Sequence, residues 1–185
     1  MNLKIFIASI LAAVPFATSA VPAGTKVLIA PVAVQFEPHW LRNVNDDRAR
    51  TERIGPADAE RIAADMAASL QAALDAAVRA RGFEVVNTPA AGVVQLSARI
   101  DDLFVNAPET YKGFGKSYTR DAGRATLRAE GRDTATGAVR LQTERRATAG
   151  DNARIEYTSD VTNRMWFDSL FRNWANEVAK ELAAR

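Results

Sequence analysis

The stretch RIDDLFV, Arg99–Val105, decides how this chain folds. Just before it, Val94, Leu96, Ala98 and Ile100 alternate with Gln95, Ser97 and Arg99. Successive strand side chains point to opposite faces, so this is a strand with one dry and one wet side. Asp101 and Asp102 interrupt it, and Leu103 and Val105 then resume the apolar series on what was the polar side. That change of phase implies a bulge or a sheet boundary. Adjacent acids on a regular strand point apart, so a strand-end feature is preferred to a catalytic carboxylate pair. Asp102 continues the inward phase and is read as a structural acid. A buried carboxylate without a partner is too costly, so Asp102 is expected to meet a cation, Arg145 being the candidate.

Downstream, Arg124–Arg132 alternates again, with Ala125, Leu127, Ala129 and Gly131 on one face. Val139 and Leu141 continue the inward set in the next strand, while Arg140, Gln142, Glu144 and Arg146 form the outward one. A three-residue turn, Ala135-Thr136-Gly137, joins the two, with Gly137 at the positive-φ position. This register sets Arg128 opposite Glu144 and Glu130 opposite Gln142, and less favourably Arg132 opposite Arg140.

Two helices flank these strands. Over Pro56–Arg81, Ile62, Met66, Leu70, Leu74 and Val78 recur every four residues, with alanines beside them. That is one apolar stripe on a helix opened by Gly55 and Pro56 and closed by Gly82. The second helix spans about Asn163–Ala184, with Thr162 as N-cap and Phe167, Leu170, Phe171, Trp174, Val178 and Leu182 as its stripe. Trp166 lies off that stripe. The apolar run Lys26–Phe36 reads as a first strand, in which Pro31 marks an edge or bulge, and Phe83–Val86 as a short one. Glu37–Gly55 and Ala107–Arg120 read as long loops. The order is β-α-β-β-β-β-α. It implies an α/β (α+β) two-layer sandwich, a mostly antiparallel sheet covered on one face by two helices.

Residues 1–20, MNLKIFIASILAAVPFATSA, have the plan of a signal peptide. Lys4 precedes an apolar Ile5–Val14, Pro15 breaks the helix, and Thr18-Ser19-Ala20 offers a cleavage site. The apolar part is too short to span a membrane, which takes about 20 residues. Cleavage near Ala20 leaves residues 21–185 as a single globular envelope domain, periplasmic or secreted. There is no Cys in the 185 residues, so thiol catalysis, disulfides and a bacterial lipid anchor are all unavailable. With 24 Lys and Arg against 22 acids, nucleic acid is not an expected partner.

Five segments together resemble a known family: VLIAPVAVQFEPHW, IGPADAERIAADMAASLQAAL, RIDDLFVNAPE, SYTRDAGRATLRAEGRDTATGAV and VTNRMWFDSLFRNWANEVAKEL. The chain resembles the bacterial envelope (lipo)proteins of domain of unknown function family 3313, with a layout similar to the TolB N-terminal domain and to curli-secretion lipoproteins. The resemblance implies an envelope location and no established reaction, and no catalytic residue is carried over.

The candidate contact residues are His39 and Trp40 in the first loop, and Tyr111, Lys112, Phe114, Lys116 and Tyr118 in the second. Aromatics interleaved with cations can grip a polymer or a protein partner. Trp40 can equally cap the core at the end of the first strand. Glu37, His39, Asp46 and Asp47 match no metal-ligand spacing, so neither a metal nor a cofactor is assigned. The leading expectation is a non-enzymatic interaction domain contacting an envelope protein or cell-wall polymer through loops or a sheet edge. A small-ligand or glycan binder, with its pocket between the long helix and the sheet, comes second. A hydrolase using Asp102 with Glu109 or Asp121 comes third.

Overall fold

The computed structural model describes residues 25–46, 48, 53–106, 117–119, 121–150, 156–158 and 160–184, with backbone alone at 117–119, 156–158 and 160–162. The signal-like residues 1–20 lie outside that set. In chain order the elements are β1 (Lys26–Ile29), β2 (Ala33–Phe36), α1 (Trp40–Asn45), α2 (Pro56–Ala80), β3 (Glu84–Val86), β4 (Val93–Val105), β5 (Ser117–Thr119), β6 (Gly123–Asp133), β7 (Val139–Ala149), β8 (Glu156–Thr158) and α3 (Asp160–Ala183).

The main sheet runs β3-β1-β4-β6-β7, with β2 also on β4. β1 and β2 sit in line on the same flank of β4, facing Val93–Leu96 and Arg99–Leu103, both in parallel. They are the two halves of the expected first strand. Pro31 has no N–H to give β4, and the Val32 N–H bonds instead to Gln71 Oε1 on α2, 3.1 Å away. The chain is thereby drawn toward the helices between the two halves. The long ladders β4–β6 and β6–β7 are antiparallel.

Alternation along β4 and β6 sends Leu96, Ile100, Leu127 and Ala129 into one core with Leu70 and Leu74 of α2 and Phe167, Phe171 and Val178 of α3. The other sheet face carries the exposed Gln95, Ser97, Arg99 and Arg128. This is the two-layer α/β sandwich the periodicities imply. At Gly131 an added Cβ would stand 3.2 Å from Leu141 and 3.4 Å from Leu182 of α3, so that glycine lets the helix pack closely on the sheet. α2 begins as expected. The Gly55 N–H bonds to Asp58 Oδ2 at 3.0 Å, and Pro56 fills the first turn, where a missing N–H costs nothing.

Several expectations need correction. Glu37–Gly55 is not wholly a loop: it contains α1, and Asn45 clasps Ile54 through both its amide nitrogen and its amide oxygen, at 2.9 and 2.8 Å. The second loop ends in β5, which pairs antiparallel with β8, Thr119 facing Glu156. Because β5 precedes β6 and β8 follows β7, this ribbon prolongs the central hairpin in sequence. α3 starts at Asp160, so Thr162 lies inside it rather than capping it. In the hairpin, Arg128 faces Glu144 and Glu130 faces Gln142 as expected, but Arg132 faces Val139, not Arg140. A register shift beside Gly131 separates the two arginines, which pair instead with Glu130 and Asp133. It also turns Val139 out of the core, to 47% exposure. Trp166, unexplained by the stripe, lies against Gly150, where an added Cβ would be 2.5 Å from its ring.

Candidate functional site

The two acids of RIDDLFV separate as the phase change required. Between Asp101↔Thr126 and Phe104↔Arg124, β4 has two residues where β6 has one, and the ladder to β2 slips at the same place. This is a bulge. Its first residue, Asp102, has φ +50, a left-handed conformation that a short polar side chain tolerates better than most. After it, Leu103 and Val105 are buried on the helix side, while Phe104 faces outward under the Arg124 guanidinium, 4.3 Å from the ring centroid.

The buried acid is therefore Asp101, 7% exposed, on the outer face. Arg99 and Arg128 approach its Oδ2 to 2.9 and 3.5 Å, as ion pairs rather than well-directed hydrogen bonds. The expected Asp102–Arg145 pair is not formed. Asp102 is half-buried and accepts a hydrogen bond from Thr126 Oγ1 at 3.3 Å, while Arg145 bonds to Glu181 of α3. The bulge is the reason: it interrupts the alternation at Asp102, so the inward phase is not carried on to that residue. Asp121, suggested as a partner acid for Asp102, accepts a hydrogen bond from Asn106 Nδ2 at 2.7 Å. Glu109 lies outside the described residues.

Trp40 is in the core. It is 2% exposed, stacks on Phe36 with ring centroids 4.1 Å apart, and donates its indole N–H to the Val105 carbonyl at 3.2 Å. Its ring closes the end of the sheet beside the bulge. His39, just before it, is exposed and sits at the start of α1 with φ +65. Glu37 is engaged by Arg124 at 2.6 Å. Tyr111, Lys112, Phe114 and Lys116, with Asp47, lie outside the described residues, and Tyr118 is placed by its backbone alone, opposite Tyr157.

Sequence reasoning missed a hollow that the described residues form. The space between α2 and the sheet, expected to hold any pocket, is filled by Leu70, Leu74, Leu96 and Leu127. A notch of about 510 Å³ lies on the opposite face, which no helix covers among the described residues. Ala30, Pro31 and Ala33 wall it where the first strand breaks, and Ser97, Arg99, Arg128, Gln142 and Glu144 complete it. Pro31 was the available signal: a proline inside an apolar strand run must interrupt a ladder. The notch is apolar along one wall and lined by an ion-paired array on the other, with Arg128 shared between Asp101 and Glu144, the latter at 3.0 Å. Small apolar side chains beside half-exposed guanidiniums suit a peptide or polymer segment with an acidic group. A second groove runs between α2 and α3, floored by Ala68, Ala72 and Ala76 and bridged by Ser69–Asp168 and Arg164–Asp65. Among the described residues, no helix is long and apolar enough to cross a membrane.

No protein-family model matches the chain, and no curated protein matches it. The resemblance to family 3313 and to the TolB layout thus has no matching family model behind it. Solved structures of similar layout are those of bacterial proteins. One is a PelC dodecamer from Paraburkholderia phytofirmans, at 15% identity and TM-score 0.49, covering 91% of this chain and 94% of that one. Another is protein XCC0632 from Xanthomonas campestris, of family model DUF330, at 12% identity and TM-score 0.45, covering 89% and 86%. A third is a minor lipoprotein from Acinetobacter baumannii, at 11% identity and TM-score 0.38, covering 84% and 93%. At such identities no residue role is carried across.

Proposed function

We propose that this is an exported, non-enzymatic interaction domain of the bacterial envelope, which holds a partner on the open face of its sheet. The family 3313 resemblance and the signal-like residues 1–20 support the location. The observation that carries the binding reading is the notch at the broken first strand, on the face that no helix covers among the described residues. Its arginines are already balanced by Asp101 and Glu144, which suits a recognition surface that exchanges ion pairs with a partner. The partner is an envelope protein or a cell-wall polymer segment. A small-ligand or glycan binder remains the second reading, with its site moved from the helix side to this notch.

Site-specific photo-crosslinking in intact cells tests it. A crosslinker at Ser97 or Gln142 should trap a discrete envelope product, whereas one at Ala72 in the inter-helix groove should not. The N-terminus of the exported protein should begin at Val21. Equal trapping at both faces, or an unprocessed chain retained in the cytoplasm, overturns the proposal.

A further inference from the structure

The strand β7 ends the sheet. Among the described residues no strand pairs with its outer edge, which runs eleven residues from Val139 to Ala149. From Leu141 to Ala149 it is free of bulges and contains neither Pro nor Gly. Such an edge is a template for another strand unless its side chains forbid it. Charges on an edge usually do forbid it, and β7 carries Glu144, Arg145 and Arg146 in succession. Their order matters. Glu144 and Arg146 lie on the outer face, and Arg145 lies on the helix face with Glu181.

We infer that the edge of β7 pairs antiparallel with β7 of a second copy of this chain, about a two-fold axis at Arg145. This register places Glu144 of each copy opposite Arg146 of the other, twice, with Gln142 opposite Thr148 outside those pairs. Neighbouring registers are penalised. An axis at Glu144 leaves Arg146 opposite Gln142, an axis at Arg146 sets Arg146 opposite itself, and an axis at Thr143 sets Arg140 against Arg146. The two Arg145 side chains that face each other at the chosen axis are, by contrast, each paired with Glu181. Two further observations favour the axis at Arg145. Arg140 pairs with Asp133 and Arg145 with Glu181, whereas Arg146 forms no ion pair among the described residues. The Arg145 Nε is buried without a hydrogen-bond partner among the described residues. Pairing offers Arg146, which has no carboxylate partner among the described residues, the Glu144 carboxylate to share with Arg128, and it brings the two Arg145–Glu181 pairs together across the axis. It also joins two sheets into one and sets two notches on a single face, since Gln142 and Glu144 line the notch. The pairing stands or falls independently of what the notch binds.

The test uses charge exchange and a single-cysteine probe on the purified protein. Sedimentation velocity should show a concentration-dependent dimer; a monomer up to about 0.1 mM overturns the inference. Arg146→Glu removes no ion pair among the described residues, so it should leave the fold intact and raise the dimer dissociation constant about tenfold, through two lost pairs. Glu144→Arg should raise the constant likewise while also giving up the exposed Arg128–Glu144 pair, and the two substitutions combined should restore the wild-type constant. A combined variant as weak as either single one overturns the pairing. The chain has no Cys of its own, so Arg145→Cys should oxidise to a disulfide-linked dimer, the two Cα atoms facing each other at about 5 Å. In Thr148→Cys the two copies of the residue lie about 20 Å apart in this register and should not crosslink. Equal crosslinking of the two variants rules the register out.

Discussion

Gly123 offers the sharpest test of the bulge that organises this fold. It begins β6 with φ +139, and a Cβ built on it would fall 1.9 Å from the Phe104 carbonyl oxygen, 2.9 Å from that carbonyl carbon and 3.0 Å from the Val105 Cα. All three are backbone atoms of β4 just past the bulge, so no side chain can rotate away. Gly123→Ala must therefore push the two strands apart and hold alanine in a conformation it resists. The conformational part costs about 1–3 kcal/mol. The forced displacement costs a further ~1–3 kcal/mol. Together they take about 2–6 kcal/mol from a net stability that for a domain is ~5–15 kcal/mol. For a chain of this size that lowers Tm by roughly 4–24 °C. Gly137→Ala is the reference. Its φ is +69, yet nothing lies within 4 Å of the added Cβ. Only the left-handed strain remains there, about 1–2 kcal/mol. Urea unfolding and calorimetry of both variants decide the matter. If Gly123→Ala loses no more stability than Gly137→Ala, β4 and β6 do not meet as closely at the bulge as described.

Other outcomes follow from particular contacts. Trp40→Ala empties a fully buried site and should cost about 3–5 kcal/mol by urea titration, while Trp40→Phe, which can retain the stack on Phe36 but not the bond to Val105, should cost about 1–2 kcal/mol. Arg99→Ala and Arg128→Ala should each be mild, because the other guanidinium still neutralises Asp101; combined they should exceed the sum of the two, a double-mutant cycle being the measurement. Ser69→Ala removes a link between α2 and α3 and should cost about 0.5–1.5 kcal/mol. The backbone N–H of Thr136 in the hairpin turn, foremost among several donors, holds the Asp133 carboxyl below its ordinary range. A group depressed in the folded state stabilises above its unfolded pKa and loses that contribution as pH falls through the folded one. The turn should thus be fully supported above about pH 4 and loosen below it, and Asp133→Asn should flatten that part of the stability profile.

How much was legible in the sequence depends on how local each signal is. The long helices and the β6–β7 hairpin could be read because period and turn chemistry act over a few neighbouring residues: Ile62 to Val78 every fourth position, Gly137 at a positive-φ turn. The phase break at Asp101-Asp102 likewise announced a bulge. What the bulge does with each acid was not legible. The pairing of Asp101 with Arg128 joins residues far apart in the chain, and only the β4–β6 register brings them together. Arg145 went to Glu181 rather than Asp102 for the same reason, since α3 packs over β7.

The chain on its own determined two amphipathic helices, alternating strands, an edge or bulge at Pro31 and a change of phase before Leu103, because propensity and periodicity are properties of neighbouring residues. The tertiary structure alone decided that β1 and β2 are halves of one strand on β4, that Trp40 is core, and that the hollow opens away from the helices. Those outcomes depend on which distant surfaces exclude water together, and neighbouring residues carry no record of that choice.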